Sequence, residues 1–113
     1  GSLGLLVADD YVHLRAENGR LLATVPDTIR GRMEVRGFGL VAASHEAGAH
    51  VRMIVDLLPM DRLDRLPDDP LALESLNGVQ VPVLRCPEND PDISLRLIRW
   101  ALRRLLPGSP DYI

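Results

Sequence analysis

Leu5-Leu6-Val7-Ala8-Asp9-Asp10 is an apolar run that ends in two adjacent carboxylates, and Arg32-Met33-Glu34-Val35-Arg36-Gly37-Phe38-Gly39-Leu40 answers it further along the chain. A short continuous apolar run such as residues 3–8 has the pattern of a buried strand. A strand that delivers two carboxylates from its C-terminal end places them at the mouth of a sheet, where open α/β folds bind ligands. Glu34 adds a third acid between Arg32 and Arg36, and Gly37 and Gly39 follow it. Three acids beside arginines and a permissive backbone suit a magnesium–phosphate site. Taken alone, Asp9-Asp10 is equally a good turn, because Asp accepts hydrogen bonds from nearby backbone N–H groups. The second segment is what moves the reading towards chemistry.

Outward from these two stretches, the chain reads as strands and turns closed by one helix. Val12, Leu14 and Ala16 alternate with polar residues, Asn18-Gly19 follows, and Leu21 to Val25 resumes the apolar pattern. Asn-Gly between two such runs is a strong hairpin signal. Pro26-Asp27-Thr28 starts a turn or a single helical turn. Arg32 to Val41 reads as one strand with an irregular stretch at Gly37-Phe38-Gly39, and 42–49 reads as loop. Val51 to Leu58 is apolar and partly β-branched, a candidate central strand. Residues 59–70 hold three prolines among aspartates, the composition of an exposed loop or short helix. Asn77-Gly78 joins Leu73–Leu76 to Val79–Leu84 as a second hairpin. Asp90 is a good N-cap, Pro91 suits the first helical position and Asp92 the positive helix end. Ile93, Leu97, Ile98, Ala101, Leu102, Leu105 and Leu106 then form one apolar face, and Pro107-Gly108 ends it. The expectation is a β-rich α/β fold of six or seven strands and one long helix, in a single domain over residues 1–113.

Composition narrows the function classes. The net charge is −3 over 113 residues, with no basic run long enough for a nucleic-acid patch. Aromatic residues are scarce, which argues against base stacking as a main mechanism. The arginines of 96–104 lie among leucines at helical spacing and read as a solvated face. A lone cysteine, Cys86, excludes an internal disulfide and a multi-cysteine zinc site, and fits a small hydrophobe at a strand end. His13, His45 and His50 lack metal-ligand spacing to one another. No run of about eighteen apolar residues occurs, so a cytoplasmic protein without a membrane partner is expected.

Leu-Val-Ala-Asp-Asp-x-Val over residues 6–12, with Glu-Val-Arg-Gly-x-Gly-Leu over 34–40, resembles the catalytic domain of bacterial HPr kinase/phosphorylase, in its short proteobacterial form. The similarity runs from about residue 3 to about residue 105. It takes in Asp27-Thr28-Ile29-Arg30-Gly31, Asp64-Arg65-Leu66-Pro67 and Leu76-Asn77-Gly78-Val79-Gln80-Val81-Pro82. The two acidic motifs are specific and the later ones are supporting. One departure is large. The family carries a Walker A loop of the form Gly-x-x-Gly-x-Gly-Lys-Ser just before the Asp-Asp strand, whose backbone N–H groups and lysine cradle ATP phosphates. The 113 residues contain no such stretch and no lysine, all thirteen of their basic Lys/Arg residues being arginine.

The resemblance implies a P-loop-kinase-like (PEP carboxykinase-like) sheet with two hairpins and a C-terminal helix, in which the phosphate-loop strand and helix are missing. It implies an ATP- and Mg²⁺-dependent enzyme that phosphorylates a serine of the phosphocarrier protein HPr and removes that phosphate by phosphorolysis. That activity belongs to regulation of the sugar phosphotransferase system, and the family is oligomeric. By the same resemblance Asp9 holds Mg²⁺, and Asp10 is the base that takes the serine proton and the acid in the reverse direction. Glu34 completes the metal shell, and Arg36 neutralises it or reaches phosphate. Arg65 lies in the segment that resembles the family's mobile loop for phosphorolysis; read by itself it is an exposed loop arginine. The alternative is a non-catalytic binding or assembly module that keeps the fold without the phosphate loop.

Overall fold

The computed structural model describes residues 4–108, which form eight strands, two short 3-10 turns and one α-helix. They fall into two compact units, residues 4–51 with Leu76–Val79, and residues 52–75 with 80–108.

In the first unit, β1 (His13–Glu17) and β2 (Arg20–Thr24) form the first hairpin, in antiparallel register from His13↔Thr24 to Glu17↔Arg20. Asn18 (φ 54°) and Gly19 (φ 76°) supply the two left-handed residues of a tight primed turn. β2 lies in the middle of a three-stranded sheet, because β5 (Gly48–His50) pairs with its other side. That central position explains its burial: Leu21 and Ala23, on one face of the pleat, are buried, and Val25 follows them inward. β5 occupies part of the stretch read from sequence as loop. Gly48-Ala49-His50 has little strand propensity of its own; it is a strand because β2 offers it an edge.

The expected single strand over 32–41 is instead a hairpin. β3 (Arg32–Val35) and β4 (Gly39–Ala42) pair antiparallel from Arg32↔Ala42 to Val35↔Gly39. Arg36-Gly37-Phe38 makes the reversal, closed by the Phe38 N–H on the Val35 carbonyl at 2.8 Å. Gly37 at φ 83° and Gly39 at φ 123° take backbone conformations that L side chains rarely adopt. The strand expected over residues 3–8 also differs; position 3 lies outside the described residues, and the remainder is no regular strand. It is an extended segment with one parallel bridge, Leu6 to His45, and Leu5 is half exposed. An apolar run becomes a buried strand only when neighbours supply a ladder, and here the ladder is a single rung.

In the second unit, β8 (Val79–Pro87) is central, between β6 (Ile54–Leu58) and β7 (Leu73–Leu76). The strand expected to be central, β6, is therefore at an edge. It pairs in parallel with the last part of β8, from Ile54↔Val83 to Leu58↔Pro87. That register accommodates Pro82: it precedes the β6 pairing, where its missing N–H costs no bond to β6. Asn77 (φ 51°) and Gly78 (φ 79°) turn β7 into β8 as expected.

The helix α1 (Pro91–Leu105) has Asp90 as its N-cap, whose carboxylate accepts the Ile93 N–H at 3.1 Å. Leu71, Leu84, Cys86 and Ala101 form a buried cluster, with Met53, Val55, Leu97, Ile98 and Leu105 packed around it. Ser94, buried on the first turns of α1, donates its hydroxyl to the Pro87 carbonyl at 2.8 Å. Burial pushes the Cys86 thiol above its ordinary value of 9.0, against a smaller downward pull from its hydrogen bond with Ser94.

Candidate functional site

The acidic site is assembled from two segments that are distant in sequence. Leu6 donates its N–H to the Ser44 carbonyl at 2.9 Å and accepts the Glu46 N–H at 2.8 Å. Val7 and Ala8 are half-buried, and the chain then bends outward at Asp9 and Asp10, both exposed. One Asp9 carboxylate oxygen accepts the backbone N–H of Glu34 at 3.0 Å.

That bond follows from strand geometry. In a two-stranded antiparallel ladder, alternate N–H groups point away from the partner and need another acceptor. Glu34 lies inside β3, and its N–H meets Asp9 instead of β4. The Asp9 carboxylate thus satisfies an edge of the β3–β4 hairpin and brings the two acidic motifs together. The link runs through the Glu34 backbone, and the Glu34 side chain stays exposed. Asp10, beside it, makes no hydrogen bond or ion pair among the described residues. Arg36 lies two positions beyond Glu34, exposed, at the first position of the hairpin turn. It forms no ion pair with Glu34; the ion pairs among the described residues are Arg15–Glu17, Arg30–Asp27 and Arg85–Glu74. Arg65 belongs to the other unit, in the exposed loop between Leu63 and β7.

The segment before β3 is ordered by its own contacts. Asp27–Ile29 is a 3-10 turn, and the Arg30 guanidinium pairs with the Asp27 carboxylate at 2.6 Å. Gly31 follows at φ 71°. Its Cα lies against the His45 ring, so that a Cβ there would stand 2.7 Å from His45 Nδ1. Residue spacing gave no sign of this contact, because His45 is distant from Gly31 in sequence and lacks ligand spacing to the other histidines.

The donor set bears on what ion it can take. Among the described residues no three His, Cys, Asp or Glu side chains are grouped to hold a metal ion. A closed protein cage of the zinc or calcium type is therefore not formed by them. Mg²⁺ asks for less: one or two carboxylates, with waters and substrate phosphate oxygens completing the octahedron. Asp9 and Glu34, both exposed and joined through the Glu34 backbone N–H, offer the one or two hard oxygen donors that such an ion needs, open to solvent.

These features define a β-rich α/β fold with hairpins, a C-terminal helix and an acidic bend beside a glycine-rich hairpin. The fold is HPr kinase-like. A solved structure described as the Hpr(Ser) kinase/phosphatase from Coxiella burnetii matches it with a TM-score of 0.75, at 24% identity, over 89% of this chain and 73% of that one. No protein-family model and no curated protein matches the sequence. No helix among the described residues is long and apolar enough to cross a membrane.

Proposed function

We propose that this chain is the HPr kinase/phosphorylase-like catalytic domain of an ATP- and Mg²⁺-dependent serine kinase and phosphorylase acting on HPr. The observation that carries the reading is the Asp9 carboxylate on the Glu34 amide, which joins the two acidic motifs within an HPr kinase-like fold. In this reading Asp9 and Glu34 hold Mg²⁺, which supplies charge neutralisation for the transferring phosphoryl group. Asp10 is left free of partners to take the proton from the substrate serine, and to return it in phosphorolysis. Arg36 reaches phosphate, a geometry that guanidinium groups favour. Arg65 serves the phosphorolysis direction. The working compartment is the cytoplasm, within control of the sugar phosphotransferase system. Self-association into a homo-oligomer belongs to the same reading, and Phe38 and Leu40, both well exposed on the β3–β4 hairpin, support it.

The test is phosphotransfer to HPr by a longer version of the chain that includes a phosphate loop, with ATP and Mg²⁺. Magnesium-dependent phosphoserine on HPr is the expected result; none, with ATP bound, overturns the reading. A second reading, a non-catalytic assembly module, is favoured by one observation: the 113 residues hold neither lysine nor a glycine-rich phosphate loop. It predicts HPr binding or self-association with no transfer by any version of the chain.

A further inference from the structure

We infer that His45 is a positioning residue that locks the Asp9–Glu34 contact, through a knot it forms with Gly31, Ala43 and Leu6. Two contacts of the His45 ring and two backbone pairings beside it meet at this residue. His45 Nδ1 lies 3.1 Å from the Ala43 carbonyl oxygen. A carbonyl can only accept, so Nδ1 carries the proton and the neutral ring is the Nδ1–H tautomer. The ring lies against Gly31, close enough that a Cβ would meet Nδ1, Cε1 and Cγ at 2.7, 2.8 and 3.2 Å. The Gly31 carbonyl accepts the Ala43 N–H at 2.9 Å, closing the loop back on itself. On its other side His45 is the bridge partner of Leu6, with Ser44 and Glu46 making the two backbone bonds.

Both acidic motifs start from this knot. Leu6 stands three positions before Asp9, and Gly31 three positions before Glu34. Each arm is short, so holding Gly31 against the His45 ring and Leu6 on the backbone on either side of His45 leaves little freedom in where the Asp9 carboxylate meets the Glu34 amide. The contact itself is solvent-exposed, and an exposed hydrogen bond holds its geometry only when its surroundings over-determine it. Gly31 is required twice, by its positive φ and by the space the ring occupies.

The purpose of the locked carboxylate rests on the magnesium–phosphate reading above, but the coupling can be tested without nucleotide. Amide hydrogen exchange would be followed by NMR in the chain as it stands, in His45→Ala and in His45→Asn. In His45→Ala the Glu34 amide is expected to exchange about tenfold faster, by local opening, with the β1–β2 hairpin amides unchanged. Asn places a donor N–H near the position of Nδ1, and His45→Asn is expected to recover most of the protection. An unchanged Glu34 amide in His45→Ala overturns the inference. So does a uniform acceleration that includes β1–β2, and so does an Asn variant no better than Ala. Ring ¹⁵N shifts in the unaltered chain add a measurement that needs no variant: an Nε2–H tautomer at neutral pH overturns the proposed bond. A chain that never transfers phosphate can still show this coupling, so the two readings fail separately.

Discussion

At the residue scale, the two adjacent aspartates have different surroundings, and that difference sets their expected roles. Asp9 is committed to the Glu34 amide, whereas Asp10 has no partner among the described residues. In a version carrying a phosphate loop, Asp10→Asn should leave nucleotide binding nearly intact and cut serine phosphorylation by about 10²–10⁴-fold, the usual contribution of a positioned base. Asp9→Asn should weaken magnesium dependence and nucleotide retention together, because in the proposed function Asp9 is the residue whose charge holds the metal. Phosphotransfer to HPr across a magnesium series separates the two; full activity in Asp10→Asn with no magnesium effect in Asp9→Asn would show the roles wrongly assigned. Cys86 yields a pH prediction. Its thiol is raised by burial, so the folded chain holds the proton more tightly than the unfolded chain. Its contribution to stability is fully present below the ordinary value of 9.0 and is lost as pH rises through the folded value. Denaturant titrations should show stability falling above that pH in the parent, with a shallower fall in Cys86→Ala; equal slopes would exclude the thiol as the cause.

At the scale of elements, the parts dictated by local chemistry are the ones legible in the sequence. Asn18-Gly19 and Asn77-Gly78 both adopt the paired left-handed conformations that their residue types favour. The helix begins at its Asp90-Pro91 signal and ends just before Pro107-Gly108. Asp90→Ala should cost about 1 kcal/mol, the usual effect of removing an N-cap side chain, read as a lower midpoint in chemical denaturation. No change would mean that the Ser94–Pro87 tie alone holds the first turn. The elements misread were those whose state depends on a partner. β5 is a strand because β2 lies beside it, and Leu5–Ala8 is a single rung because, among the described residues, Leu6 to His45 is its one bridge. The stretch 32–41 reads from sequence as one strand with an irregularity at Gly37-Phe38-Gly39, because glycines within a strand pattern commonly mark a bulge, whereas it is a hairpin.

For the whole molecule, an HPr kinase-like fold stands beside a sequence of 113 residues in which no Walker A stretch occurs. A glycine-rich loop of backbone N–H groups and a lysine supply most of the hold on nucleotide phosphates in phosphate-loop sites, and the 113 residues contain neither a Walker A stretch nor a lysine. This chain should therefore bind ATP far more weakly than a relative with the loop. Calorimetric titration with ATP and Mg²⁺ measures it directly, and micromolar affinity would show that the acidic bend binds nucleotide by some other means.

The sequence by itself determined the two Asn-Gly turn positions, the capped helix and its apolar face, and the two acidic motifs with their glycines. These depend on φ preferences, on the missing proline N–H and on side-chain periodicity, all of which act within a few residues. Only the tertiary structure decided that β8 and not β6 is central, that Gly48–His50 joins a sheet, and that Asp9 reaches the Glu34 backbone rather than its side chain. It alone brought the His45 ring onto Gly31. Such choices are made by backbone N–H and carbonyl groups, which every residue shares, so no residue type announces them. They are settled when distant segments compete for the same edge and the pairing that leaves fewest donors unsatisfied prevails.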